Sequence, residues 1–105
     1  MALDTAPYTG ATTTLDCLWS GVPVVTMVGD TYASRMSASI LTAVGRTETI
    51  VASEDEYVGT AARLAKDPVA LAHAREGLSR DLMSSPLCDA GSFASGLIET
   101  LESLL

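Results

Sequence analysis

Basic residues are scarce in this sequence. Its 105 residues include 6 Lys and Arg against 13 Asp and Glu, which gives a formal net charge of −7 at pH 7. A field of that sign repels phosphate backbones, so nucleic acid is not an expected partner. No apolar run approaches the length of a membrane span, so no membrane partner is expected either. The first residues show no basic region followed by an apolar one, so no secretory signal is predicted and the expected compartment is the cytoplasm.

Cysteine and aromatic residues are also few. Cys17 and Cys88 lie far apart and match no metal-binding spacing, so we expect two reduced thiols and no metal site. Aromatic residues make up 5% of the chain and hydrophobic residues 48%, which predicts a folded core of Leu, Val, Ile, Ala and Met. The length fits one small domain, residues 1–105.

Strand and helix patterns alternate along the chain. The apolar segments MALDT, VPVVTMV and ETIVA are predicted strands, and VPVVTMV has the β-branched, doubly apolar pattern of a strand covered on both faces. The first predicted helix runs from Thr13 or Thr14 to Ser20, and Ser34 is the predicted cap of the second. Ser53 and Glu56 form a capping box that opens the third helix.

The second half of the chain is predicted to be helical. Asp67-Pro68 begins one helix that carries Leu71, Leu78 and Leu82 along its apolar side, and a last helix spans residues 92–105 and is expected to pack back on the core. The alternation earlier in the chain predicts an α/β fold with about three parallel strands, flanking helices and a helical C-terminus. Three strands form a thin sheet, and this order corresponds to half of a doubly wound lobe.

The segment from Pro7 to Thr14 follows a predicted strand and precedes a predicted helix. In open parallel sheets, ligands bind outside the carboxyl ends of the strands, beside helix N-termini that offer free backbone N–H groups. Gly10 lets the loop approach a ligand closely, and the hydroxyls of Thr12 and Thr13 add donors for phosphate oxygens. Asp16, one turn further on, could accept hydrogen bonds from sugar hydroxyls.

A purely structural interpretation of the same segment stays open. Any of the three threonines could cap the helix, and an aspartate in the first turn favours the helix dipole. The segment is neither a Walker loop nor a dinucleotide fingerprint. From residue chemistry alone, the segment therefore predicts either a helix cap or a nucleotide diphosphate site.

The motifs TTT, LWSGVPVVT, ASR, LTAVG and SPLCDA follow one another in this order along nearly the whole chain. In this combination the sequence resembles the C-terminal part of the catalytic domain of the tetratricopeptide-repeat-linked O-GlcNAc transferases and the SPINDLY-type proteins. The resemblance implies a three-layer, Rossmann-like half-lobe of a two-lobed (GT-B-type) glycosyltransferase. It places the diphosphate near Thr12 and Thr13, with Gly10 and Ala11 beside them, and the ribose near Asp16. Ala11 stands where some members have a histidine, which puts the details of diphosphate binding in question.

The resemblance also implies an activity. The parent protein is expected to transfer a sugar, with GlcNAc as the expected choice, from a nucleotide sugar to Ser or Thr hydroxyls of proteins. The donor remains open between UDP-GlcNAc and GDP-fucose. No catalytic residue is assigned to this chain, and no cofactor or metal is expected beyond the nucleotide-sugar substrate. The family has further segments that bind the nucleotide and the protein acceptor, so this chain is expected to be a fragment of the C-terminal lobe, inactive alone.

Two other functions remain open at this stage. The chain could be a catalytically inactive α/β module that forms a homodimer through an exposed sheet edge. It could also belong to a different enzyme that binds sugar nucleotides.

Overall fold

The computed structural model describes all 105 residues. It contains three short strands, six α-helices and one 3-10 turn. The strands are β1 (Ala2–Leu3), β2 (Val24–Met27) and β3 (Ile50–Val51). The helices are α1 (Thr12–Trp19), α2 (Met36–Val44), α3 (Glu54–Lys66), α4 (Pro68–Arg75), α5 (Leu78–Met83) and α6 (Ala90–Ser103), and the 3-10 turn is Pro86–Cys88. None of the helices has the length and apolar character needed to cross a membrane.

The three strands form one parallel sheet in the order β1-β2-β3. Ala2 lies opposite Val24, and Thr26 lies opposite Ile50. Consecutive parallel strands that run side by side are the arrangement within one half of a doubly wound sheet. The predicted α/β fold with three parallel strands is confirmed.

Helices cover both faces of the sheet. Residues of α1, α2 and α5 form the main apolar cluster, and α3 contacts β2 from outside that cluster. The cluster consists of Leu18, Ile40, Leu41, Val44, Leu78 and Leu82. β2 lies between these layers, which is why Val24 and Val25 are buried although neighbouring residues of a strand point to opposite faces.

Local signals placed some helix ends correctly and others wrongly. Ser53 accepts the Glu56 N–H, and Asp67 caps α4 with Pro68 in its first position, as predicted. The predicted Ser34 cap of α2 is wrong: the cap position is Arg35, while the Ser34 hydroxyl bonds within the preceding turn to Thr31. The Ser34 hydroxyl is therefore used within the loop and does not cap α2.

The C-terminal half differs more from the sequence prediction. The single helix expected after Asp67 is two helices, broken at Gly77, which has a left-handed φ of 72°. The last helix, α6, does not pack back on the core as expected, because every one of its residues is exposed. It contacts the rest of the molecule mainly at the 3-10 turn that precedes it.

Candidate functional site

The N-terminus of α1 lies at the carboxyl edge of the sheet. β1 ends at Leu3, the loop of residues 4–11 follows, and α1 begins at Thr12. In open parallel sheets, ligands bind outside the carboxyl ends of the strands, and this loop and helix N-terminus lie at that edge. A shallow cavity of about 140 Å³ lies here, and its lining includes Leu3, Thr13 and Cys17.

The first turn of α1 leaves its backbone donors open. Its cap residue is Ala11, which has no side chain that can accept a hydrogen bond. The N–H groups of Thr12, Thr13 and Thr14 donate to no acceptor within the chain. Side chains cap α3, α4 and α6, whereas α2 and α5, like α1, have no side-chain cap. The interpretation of the threonines as helix caps is therefore wrong, and α1 keeps its N–H groups and partial positive charge available.

The three threonines of α1 divide into two kinds. Thr12 and Thr13 are exposed, and their hydroxyls bond to nothing in the chain. Thr14 is buried, and its hydroxyl lies 2.7 Å from the Ser37 hydroxyl of α2. The first two hydroxyls are thus free to meet a ligand, whereas the third ties α1 to α2.

Asp16 lies one turn along α1. It is exposed, and its carboxylate forms neither a hydrogen bond nor an ion pair within the chain. Residues three and four apart share a helix face, so Asp16 lies below Thr12 and Thr13 on the exposed side. The predicted residues Gly10, Ala11, Thr12, Thr13 and Asp16 are therefore adjacent at one edge of the sheet, and their roles towards a nucleotide stay predictions.

Asp4 organises the loop that leads into α1, and the sequence analysis missed it. Its Oδ1 accepts the Gly10 N–H at 2.8 Å, and its Oδ2 accepts the Thr26 hydroxyl of β2 at 2.7 Å. Its backbone carbonyl accepts the Tyr57 hydroxyl of α3 at 2.7 Å. The only signal in the sequence was an acidic residue directly after a strand, because the partners are distant along the chain.

Burial and the negative charge of Asp4 both influence Tyr57. Partial burial of the phenol raises its pKa above the ordinary value, and the neighbouring carboxylate of Asp4 raises it further. Tyr57 therefore stays protonated and keeps donating its hydrogen bond to Asp4.

The charged side chains at this edge of the sheet include the carboxylates of Asp4, Asp30 and Glu54. Arg35, at the start of α2, donates from Nη1 to the Gly29 carbonyl at 2.9 Å and is otherwise exposed. No group of three or more His, Cys, Asp or Glu side chains lies close enough to hold a metal ion. The donors for an anion here are consequently the open N–H groups and hydroxyls of α1.

Comparison with known proteins agrees with the resemblance drawn from the motifs. Residues 1–97 match the family model for glycosyl transferase family 41. The chain is 43% identical over 104 residues to the SPINDLY protein of Hordeum vulgare, covering 99% of this chain and 11% of that protein. It is 37% identical over 101 residues to the UDP-N-acetylglucosamine–peptide N-acetylglucosaminyltransferase of Caenorhabditis elegans, covering 96% of this chain and 9% of that protein.

A solved structure shares the fold closely. A mutant O-GlcNAc transferase of Thermobaculum terrenum superposes with a TM-score of 0.86 at 42% identity, over 96% of this chain and 19% of that one. The chain thus spans about a tenth of the length of the curated relatives it matches. Because the match to the family model covers nearly the whole of this chain, the chain belongs to glycosyl transferase family 41.

Proposed function

We propose that this chain supplies the diphosphate and ribose contacts of a nucleotide-sugar site in a protein O-glycosyltransferase. The observation that carries the proposal is the open first turn of α1, with three unpaired N–H groups and two free hydroxyls. A helix N-terminus of this kind favours negative charge. UDP-GlcNAc is the proposed donor, because the relative from Caenorhabditis elegans is named for that nucleotide sugar.

Each proposed contact has a separate task. The N–H groups and the hydroxyls of Thr12 and Thr13 donate to the diphosphate, with Gly10 and Ala11 leaving room beside it. Asp16 accepts from the ribose hydroxyls. When the sugar leaves, negative charge builds on the diphosphate, and these fixed donors stabilise it electrostatically. No metal ion is part of this proposal, in which the donors of the helix stabilise the charge.

The proposed acceptor is a Ser or Thr hydroxyl of a protein. No residue of this chain is proposed as the general base for that step, and the chain is proposed to be inactive alone. Transfer to the acceptor belongs to the whole protein, of which we propose this chain to be part of the C-terminal lobe.

Removal of the Thr13 hydroxyl tests the proposed site. The variant Thr13→Val keeps the shape of the side chain, and we expect it to weaken UDP binding by about three- to tenfold, the equivalent of one hydrogen bond. Because the side chain is exposed and bonds nothing, the free energy of unfolding should change by less than about 0.5 kcal/mol. Titration calorimetry with UDP and GDP measures the affinity, which we expect to be about millimolar for these contacts alone.

Thr47→Val is the matched control for this experiment. Thr47 is also exposed, and its hydroxyl also bonds nothing in the chain, but it follows α2 at the opposite end of the sheet. UDP affinity should not change in this variant. Equal UDP affinity in the wild type and Thr13→Val would overturn the proposed diphosphate contact.

Self-association is a second candidate, favoured by the outer edge of β1. Ala2 and Asp4 donate their N–H groups to the carbonyls of Pro23 and Val25, so the alternation of the strand turns the Leu3 N–H and carbonyl towards the open edge. The Leu3 side chain lies on a face of the sheet and is exposed. An unpaired edge is a template for a second strand. Sedimentation of the wild type and of Leu3→Lys tests this candidate. The variant should be monomeric, because a charge at the edge blocks strand pairing. A monomeric wild type would rule self-association out.

A further inference from the structure

We propose that Asp4 is the positioning residue of the anion site: it sets the Gly10 turn and thereby aims the open N–H groups of α1. This inference rests on the proposed function, because it concerns the same site. Asp4 itself would not touch the ligand. It would act through the backbone of the loop that it holds.

The carboxylate of Asp4 is fixed from several sides. Its Oδ1 accepts from the N–H groups of Gly10 at 2.8 Å and Thr5 at 3.0 Å, and its Oδ2 accepts from the Thr26 hydroxyl at 2.7 Å. The backbone is fixed as well, since the Asp4 N–H donates to Val25 at 3.0 Å and its carbonyl accepts from Tyr57. Asp4 therefore joins β1, β2 and α3 to the loop before α1, and these hydrogen bonds hold its side chain in place.

Gly10 carries this constraint to the helix. Its N–H is held by Asp4, and its carbonyl accepts the Ser37 hydroxyl at 2.9 Å. A Cβ on Gly10 would stand 2.6 Å from the Thr13 hydroxyl oxygen, so the loop already touches the first turn of α1. Without the Asp4 carboxylate, the Gly10 N–H loses its acceptor. The direction of the N–H groups of residues 12–14 then becomes less defined.

A carboxylate in this position is unfavourable on charge alone. It brings a negative charge close to a site proposed to hold a diphosphate, which weakens anion binding. Its advantage is geometric, because a carboxylate accepts strong charge-assisted bonds from all three donors at once. Positioning and charge therefore act in opposite directions on anion affinity, and variants of Asp4 can separate them.

The test measures inorganic pyrophosphate binding to the 105-residue chain by the amide NMR shifts of Thr12, Thr13 and Thr14. Asp4→Ala removes the acceptor, and we expect affinity to fall about tenfold, although a repulsive charge is removed. Asp4→Asn retains an oxygen for the Gly10 N–H and removes the charge, so it should bind at least as tightly as the wild type. Rescue by asparagine is the result that a purely electrostatic role would not give.

Thr26→Val is the control for a general loss of stability. It removes the bond to Oδ2 within the core and leaves the bond from Gly10 to Oδ1, so the chain should unfold more easily but bind pyrophosphate within about threefold of the wild type. If Asp4→Ala does not fold, Asp4→Glu replaces it, because the longer side chain keeps the charge and moves the acceptor. Its affinity should then fall at least about threefold.

The outcomes separate the two proposals. Wild-type amides that do not respond to pyrophosphate overturn the proposed anion site and this inference with it. A wild type that binds, together with Asp4→Ala or Asp4→Glu binding equally well, leaves the anion site standing and overturns the positioning role. Loss of affinity in Asp4→Ala with rescue in Asp4→Asn supports it.

Discussion

Gly10 is the residue at which the proposed site tolerates no added atom. A Cβ there would lie 2.6 Å from the Thr13 hydroxyl oxygen and 2.7 Å from that of Thr14. Thr13 can rotate away, but the Thr14 hydroxyl is buried and bonded to Ser37, so relief disturbs the contact between α1 and α2. We expect Gly10→Ala to lower the free energy of unfolding by about 1–3 kcal/mol and to weaken UDP binding. Urea unfolding measures the first effect and calorimetry the second.

Gly59→Ala provides the matched comparison for Gly10→Ala. Gly59 lies within α3, and a Cβ there meets nothing within 4 Å. Alanine should therefore stabilise the chain by up to about 1 kcal/mol through its better helix propensity. A Gly10→Ala variant as stable as Gly59→Ala would contradict the close approach of the loop to α1.

Tyr57 makes the free energy of unfolding depend on pH in the alkaline range. Its folded-state pKa is raised, first by burial and then by Asp4, so the native state holds its proton when the unfolded chain has lost it. The associated stability is complete below about pH 10 and falls as pH rises through the folded pKa. Tyr57→Phe should cost about 1 kcal/mol at neutral pH, since one hydrogen bond is lost, and less in alkali.

Thermal unfolding between neutral and alkaline pH measures this difference. Tyr32→Phe is the control, because the Tyr32 side chain is exposed and its hydroxyl bonds nothing in the chain, so it should behave as the wild type. A constant difference between Tyr57→Phe and wild type across the range would show that Tyr57 titrates equally in both states.

Elements specified by neighbouring residues were predictable from the sequence. The capping box of Ser53 and Glu56 placed α3 correctly, and the β-branched run placed β2. The division between α4 and α5 was not predictable, because a single glycine is tolerated in a helix. At Gly77 tertiary contacts fix the break, with Arg46 bonding both to the Glu76 carbonyl and to Asp81.

At the candidate site, too, only the features that depend on neighbouring residues could be predicted. The threonines and Asp16 are close in sequence, so a local pattern could bring them together. Their division into free and buried hydroxyls depends on Ser37, which is distant along the chain. Asp4 escaped prediction because its partners Thr26 and Tyr57 come close only when the sheet and α3 assemble.

At the scale of the whole molecule, α6 stands apart from the lobe. The radius of gyration is 15.3 Å, compared with about 13 Å for a compact chain of this length. The large apolar side chains of α6 remain exposed, from 46% at Leu97 to 69% at Phe93. The sheet, α1–α5 and the proposed site therefore form a unit whose packing does not depend on these side chains.

This independence predicts the result of changing α6. The double variant Leu97→Glu and Leu101→Glu should alter the free energy of unfolding by less than about 0.5 kcal/mol, because neither side chain packs on the core. The control Leu41→Ala removes a side chain that is 1% exposed and should cost about 2–5 kcal/mol. Urea unfolding followed by circular dichroism at two protein concentrations measures both and detects any association. If the double variant loses as much stability as Leu41→Ala at both concentrations, α6 must pack against its own lobe in solution.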